Sequence, residues 1–208
     1  MEDITLRALR VLKEADYILC EDTRVTGKLL KRHEISVPLK RYDAHASEAT
    51  HESVLKDLMD GKNIALVSDA GTPGVSDPGV LLVTRAREAG ARVDAIPGAS
   101  AITAAFSIAG ITGNQFAFLG YAPQKKGRET FFKSMMDYEI PVMFFESTHR
   151  IMKTLEALGK FVPNKKVSIG RELTKMHEEF IFGTSAEMLS YFETNKDHQK
   201  GEFVVIVS

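Results

Sequence analysis

Three short stretches of the chain are apolar without interruption and a fourth, Arg92 to Ile96, carries Val93, Ala95 and Ile96 between charged residues; each runs straight into a polar or glycine/proline-rich segment and then a helix pattern. Tyr17 to Cys20 ends in Glu21-Asp22-Thr23-Arg24, Ile64 to Val67 leads into Ser68 to Gly79, Arg92 to Ile96 stops at Pro97-Gly98, and Val142 to Phe145 precedes Glu146-Ser147-Thr148. Strands with no polar alternation are buried on both faces, and strand, loop, helix in repeated order is the signature of a parallel sheet covered on both sides. The first half of the chain is therefore predicted to be α/β. Its helices are expected at residues 3 to 15, with Asp3 as cap, after Arg24, at Ser47 to Asp60 closed by Gly61, between Gly79 and Gly90, and at Ala99 to Ala109.

Beyond Gly113 the rhythm changes. Strands are predicted at Phe116 to Leu119, Val142 to Phe145, Val167 to Ile169, Phe180 to Phe182 and Phe203 to Val207, with helices at residues 128 to 138, Thr148 to Leu158 and Ser185 to Glu193. This reads as a second, mixed α/β domain over residues 114 to 208 following a parallel-sheet domain over residues 1 to 113, with Ile111-Thr112-Gly113-Asn114 as the hinge.

Composition narrows the function classes. With 27 Lys and Arg against 28 Asp and Glu, the net charge is −1, so nucleic acid cannot be held by bulk charge and any such partner must meet a local basic patch. Two patches are visible: Arg24, Lys28, Lys31 and Arg32 on the second helix, and Lys125, Lys126 and Arg128 after Phe118-Leu119-Gly120-Tyr121. Phosphate contacts are expected from Arg24, Lys28, Lys125, Lys126 and Arg128, and Tyr121 is placed either to stack a base or to pack in the core. A single cysteine, Cys20, permits no internal disulfide and suits a reducing cytosol; its apolar neighbours give it a packing role. No apolar run reaches the roughly 20 residues of a membrane helix, no signal peptide follows Met1, and the histidines show no metal-ligand spacing.

Ligands of open parallel sheets bind beyond the carboxyl ends of the strands. Glu21 to Arg24, Asp69 to Gly79 and Pro97 to Ala101 lie there. The eleven residues from Asp69 to Gly79 are far more than a strand-to-helix turn needs, and their glycines and prolines describe a stiff, backbone-lined wall suited to a flat heterocycle. Dinucleotide and phosphate-loop glycine motifs are absent, and the loop has two carboxylates but no Lys or Arg, so a polyphosphate is a poor fit.

Five strings together resemble one family: Cys20-Glu21-Asp22-Thr23-Arg24; Val67 to Gly74 with Asp77-Pro78-Gly79; Pro97-Gly98-Ala99-Ser100-Ala101; Phe145-Glu146-Ser147-Thr148-His149-Arg150; and Arg171-Glu172-Leu173-Thr174-Lys175. They are similar to bacterial small-subunit ribosomal RNA cytidine-2′-O-methyltransferases, a branch of the tetrapyrrole methylase fold family. Asp-Pro-Gly and Pro-Gly-Ala-Ser are general to the fold, whereas Glu-Ser-Thr-His-Arg and Arg-Glu-Leu-Thr-Lys mark the RNA branch. The resemblance implies a two-domain fold, S-adenosylmethionine as cofactor between the domains, a ribose 2′-hydroxyl of small-subunit RNA as acceptor, and a cytoplasmic homodimer. The cofactor would be met by Asp69, Ala70, Gly71, Thr72, Pro73, Ser76 and Asp77, and by Pro97, Gly98, Ser100 and Ala101.

Methyl transfer to a hydroxyl needs alignment first and proton removal second. Glu146, Arg171 and Glu172 are the candidate catalytic residues, each with a structural alternative: a helix-start carboxylate for Glu146 and an ion pair for Arg171 with Glu172. His149, Arg150 and Lys175 are further polar candidates. The sequence departs from the family at His45-Ala46-Ser47, where His-Asn-Glu is usual, and in the strand and loop that normally precede the opening helix. The expectation is that upstream coding sequence supplies that strand, or that the 208-residue chain binds the cofactor weakly. Two other functions stay open on the residues alone, a tetrapyrrole methyltransferase and a non-catalytic RNA-binding protein.

Overall fold

In the computed structural model, which describes residues 2–208, Tyr17–Cys20 (β1) is buried along its whole length because both of its faces are covered. Parallel neighbours flank it: Leu39–Arg41 (β2) on one edge and Ile64–Val67 (β3) on the other, in the order β2-β1-β3. Successive side chains of β1 point to opposite faces. Tyr17 and Leu19 pack with Tyr42, Val54 and Leu82, on the side of the helices Glu48–Met59 (α3) and Val80–Glu88 (α4). Ile18 joins Leu12, Leu30 and Ile35, on the side of Leu6–Glu14 (α1) and Thr23–Arg32 (α2).

The caps explain where these helices start. Thr5, not Asp3, caps α1 by accepting from the Ala8 amide at 3.1 Å. Asp22 caps α2 and Ser47 caps α3, each through its side-chain oxygen. Residues 92 to 96, expected as a strand, form none. A strand exists only through a neighbour's backbone, and among the described residues β3 pairs with β1 alone: this segment, broken by Arg92 and Asp94, does not pair with the outer edge of β3. Conversely, β2 is too short and too exposed to show an apolar run, and it is a strand because β1 offers it partners.

The chain divides into two compact units, Met1–Ala99 and Ser100–Ser208. The division falls ahead of the hinge expected at residues 111 to 114, because the helix Ala101–Ile108 (α5) packs Ile102 and Ala105 against Met143, Val204 and Ile206 of the second unit. That unit is built on a mixed sheet in the order β4-β5-β8-β6-β7, from Ala117–Tyr121 (β4), Val142–Ser147 (β5), Val167–Arg171 (β6), Glu179–Gly183 (β7) and Glu202–Val207 (β8). Only β4 and β5 are parallel; β8 lies antiparallel between β5 and β6. One face carries α5. The other buries Phe144, Phe203 and Val205 under Arg128–Ser134 (α6), Ile151–Phe161 (α7) and Ser185–Thr194 (α8). Thr184 and Glu187 form a reciprocal capping box at the start of α8. Among the described residues no helix is long and apolar enough to cross a membrane.

Candidate cofactor loops and a polar cleft

In the first unit, parallel pairing brings the carboxyl ends of β1 and β3 to the same sheet edge. The Asp22 amide there donates to Asp69 Oδ1 at 3.3 Å. The Asp22 carboxylate accepts from Arg24 at Nε and Nη2, 3.0 and 2.6 Å, and from the Arg24 amide, and these contacts hold it well below the usual carboxylate range. Burial, then the charge of Asp69, pushes Glu21 the other way. Cys20 is fully buried, and burial raises its thiol, in keeping with a packing role.

The loop from Asp69 to Gly79 turns through left-handed backbone at Gly71, Gly74, Ser76 and Gly79. Ser76 at φ 66° is a non-glycine residue in a conformation that costs on the order of 1 kcal/mol, held by the surrounding loop. A Cβ built on Gly71 or Gly98 meets no heavy atom within 4 Å, so open space lies beside both positions. Gly98 does not have left-handed backbone; its value is the space alone. At Gly79 a Cβ would lie 2.5 Å from Leu66 Cδ2, which makes that glycine a packing requirement. Asp69, Ala70, Gly71, Thr72 and Ser76 are exposed along this loop, Pro73 and Asp77 half-buried. Pro97, Gly98 and Ala99 are the exposed end of the first unit, while Ser100 stands at the N-cap position of α5 with no side-chain capping bond and Ala101 opens the helix, in the second.

The second unit places its two polar strings together. The turn after β5 and the turn after β6 meet the start of β8 around a cleft of about 390 Å³ lined by Tyr121, Ser147, Thr148, His149, Glu172, Lys175, Gly201 and Glu202, with Glu146 in its wall. His149 was expected inside a helix; α7 begins only at Ile151, so His149 is an exposed turn residue of the cleft.

Glu146 does not reach that cleft with its carboxylate, whose side chain is fully buried. It accepts from Arg128 Nη1 at 3.3 Å, Thr154 Oγ1 at 2.6 Å and its neighbour's Ser147 amide at 2.8 Å, and it pairs with Arg150 Nε at 2.8 Å. The two guanidiniums also hold the carbonyls of Pro123 and Ala122. This is a structural charge cluster that fastens the chain after β4 to the ends of β5 and α7. Glu146 thus takes the form of the structural alternative, a buried and fully partnered carboxylate, and Arg128 faces inward onto it rather than outward as a phosphate contact would.

Arg171 is likewise held by structural partners. Buried at the end of β6, it donates to the Lys200 and His177 carbonyls at 2.8 and 3.1 Å, and its carboxylate neighbour at 3.7 Å is Glu179 rather than Glu172. Glu172 lies in the cleft, where its Oε1 accepts from both Lys175 Nζ at 3.1 Å and the Glu202 amide at 2.8 Å. Burial alone would raise its carboxyl, but those bonds bring it below the usual range. Burial likewise opposes the charge on Lys175, and Glu202 and Glu172 overcome it and raise the ammonium. Lys28, Lys125 and Lys126 are exposed; Arg24 is exposed and engaged with Asp22. Sequence reasoning missed Glu202 and Gly201, since a glutamate before a terminal strand carries no local signal.

A family model described as Tetrapyrrole (Corrin/Porphyrin) Methylases matches residues 1–189. A Thermotoga maritima protein named Ribosomal RNA small subunit methyltransferase I is 41% identical over 208 residues, covering 100% of this chain and 93% of its own length. Proteins of the same name from Neisseria meningitidis serogroup B and Bacillus subtilis are 40% and 39% identical, with 72% and 70% of their own lengths covered. Among solved structures, a cobalamin biosynthetic enzyme, cobalt precorrin-4 methyltransferase, superposes with a TM-score of 0.71 at 15% identity over 100% of this chain and 89% of that one. The methyltransferase CobJ gives 0.69 at 18%, over 100% and 88%. At such identities the structural likeness speaks for the fold alone.

Proposed function

We propose, from the premise that the chain belongs to the tetrapyrrole (corrin/porphyrin) methylase family and to its ribosomal RNA small subunit methyltransferase I branch, that it is a methyltransferase acting on small-subunit ribosomal RNA. The acceptor in this reading is the ribose 2′-hydroxyl of a cytidine, and the methyl donor is S-adenosylmethionine. The observation that carries the proposal is similarity along the full length of the chain to proteins named for that RNA, which includes both polar turns of the cleft.

The residues of the first unit fit such a cofactor. Gly71 and Gly98 leave room for it, and Asp69 and Asp77 offer carboxylates to its hydroxyl and amino groups on a loop with no cation to repel its sulfonium. Ala70, Thr72, Pro73 and Ser76 complete the loop and Pro97 adds to it in the first unit; Ser100 and Ala101, which begin the second unit, are the remaining residues the family resemblance assigns to the cofactor. The cofactor would supply a methyl carbon on a sulfonium whose sulfur leaves as a neutral thioether, and the acceptor hydroxyl would give its proton to a base. The chain's part is alignment and exclusion of water, and of the three catalytic candidates only Glu172 presents its carboxylate beside the cleft. Lys28, Lys125 and Lys126, with the outer side of Arg24, hold phosphates. A pair of copies acting in a reducing cytosol completes the proposal; sedimentation of the purified chain reads the first part.

Incubation with methyl-labelled S-adenosylmethionine and unmethylated small ribosomal subunits tests it. Label recovered as 2′-O-methylcytidine is the expected result. Label entering only a tetrapyrrole precursor, or cofactor binding with no transfer to RNA, would overturn the reading.

A further inference from the structure

The cleft of the second unit has a charge pattern that selects among the parts of an RNA. Two carboxylates, Glu172 and Glu202, share one ammonium, Lys175, at 3.1 and 2.8 Å, so the trio carries a net negative charge. A phosphate would be repelled there. Lys175 engages Glu172 Oε1 and Glu202 Oε2, which leaves the opposite oxygen of each carboxylate to accept from a ligand. At about 390 Å³ the cleft falls in the size range of small-ligand sites. Its wall includes Tyr121, half exposed, with Phe145 behind it at 5.3 Å between ring centroids. An aromatic face beside hydrogen-bond acceptors fits an unstacked base that offers amino hydrogens.

We propose that this cleft receives the base of the acceptor cytidine, with Tyr121 stacking on it and Glu202 accepting from its exocyclic amino group. The proposal rests on the RNA reading above and adds to it a determinant of base identity. Cytosine presents an N4 amino donor where uracil presents an O4 acceptor, and a carboxylate pairs with the first and repels the second. The wall that carries Glu202 is rigid. Thr148 Oγ1 and Gly201 exchange reciprocal bonds at 2.7 and 2.8 Å, and Glu172 and Glu202 are tied by two bonds, the Glu172 amide donating to the Glu202 carbonyl at 2.9 Å and the Glu202 amide to Glu172 Oε1 at 2.8 Å. A Cβ on Gly201 would lie 2.6 Å from Glu172 Cγ, so the glycine permits this closeness. Glu172 at φ 47° and Thr174 at φ 67° put the turn after β6 in left-handed backbone, and that turn brings Lys175 between the two carboxylates. Glu202 is thus held at a defined place while its own side chain remains 65% exposed.

Methylation rates on small-subunit RNA substrates bearing C or U at the acceptor position test the inference. The wild-type chain is expected to prefer C by about ten- to a hundredfold in kcat/KM, as one good base contact allows. Glu202→Gln, whose carboxamide can turn a donor toward O4, should lower the C-to-U ratio about tenfold and raise the rate on U. Glu202→Ala should lose the preference without gaining on U, and Tyr121→Ala should slow both substrates by a similar factor of about ten. A C-to-U ratio unchanged in both Glu202 variants, with circular dichroism showing them folded, overturns the assignment while leaving the RNA reading intact. A wild-type chain that methylates neither RNA overturns both.

Discussion

Glu146 is a carboxylate with no exposed side-chain surface and two arginines on it, and removing its charge strands both guanidiniums in a site with little water. Breaking a buried pair from one side costs about 3 to 5 kcal/mol, so Glu146→Gln should lower stability by about 3 kcal/mol in urea denaturation. The folded fraction of that variant should bind S-adenosylmethionine as the wild type does; unchanged stability with abolished methyl transfer would return Glu146 to the catalytic set. Gly98 makes the opposite case. With open space and no left-handed backbone, Gly98→Val should stay within about 0.5 kcal/mol of wild-type stability while weakening cofactor binding more than tenfold by calorimetry. The same change at Gly71 is a less clean probe. Its φ of 71° strains a β-branched residue by about 1 to 2 kcal/mol, so binding and stability fall together there.

At the scale of elements, α3 is fastened to its neighbours by Asp57, which accepts from Lys62 at 2.5 Å, the Tyr17 hydroxyl of β1 at 2.9 Å and Lys40 of β2 at 3.4 Å. The bonds from Lys62 and then Tyr17 lower its carboxyl to about 2. A carboxyl depressed in the folded state contributes stability that is complete above its unfolded value near 4 and disappears as pH falls through the folded value. Asp57→Asn should therefore be less stable than wild type at neutral pH, and the two unfolding midpoints should converge between pH 4 and pH 2. Parallel curves through that window would show that the contacts do not distinguish the charged from the neutral form. Residues 92 to 96 teach a related lesson: Val93 and Ile96, separated by Asp94 and Ala95, do not make a strand where no other backbone pairs with them.

For the whole molecule, a net charge of −1 means that affinity for RNA depends on where the cations stand. Lys125 and Lys126 are exposed in the loop after β4, whereas Arg128, three residues from Lys125, is turned inward to Glu146 and Thr154. Replacing Lys125 and Lys126 with Ala should weaken RNA binding and reduce the slope of log K against log salt by about 0.7 for each phosphate no longer neutralised, without changing cofactor affinity. Adding Arg128→Ala to that pair should cost stability, a result that a surface cation facing phosphate would not produce.

The order of strands, loops and helices was legible in the residues because it is local: unbroken apolar runs, capping side chains such as Ser47, and glycines closing helices act over a few positions. The loop from Asp69 to Gly79 also stood out, since it exceeds what a strand-to-helix turn requires, and the strings Phe145 to Arg150 and Arg171 to Lys175 stood out by their resemblance to one family. The division between packing and presentation within them was not. Whether an arginine faces a carboxylate or the solvent depends on partners far along the chain: Arg128 on Glu146, Arg171 on the Lys200 carbonyl, Thr148 on Gly201. The last two meetings follow from the placing of β8 between β5 and β6 and the first from the pairing of β4 with β5, which no single segment encodes. Tertiary structure alone therefore turned Glu146, Arg128 and Arg171 into supports and brought Glu202 beside Glu172, because pairing across the sheet decides which side chains lose their water and which keep it.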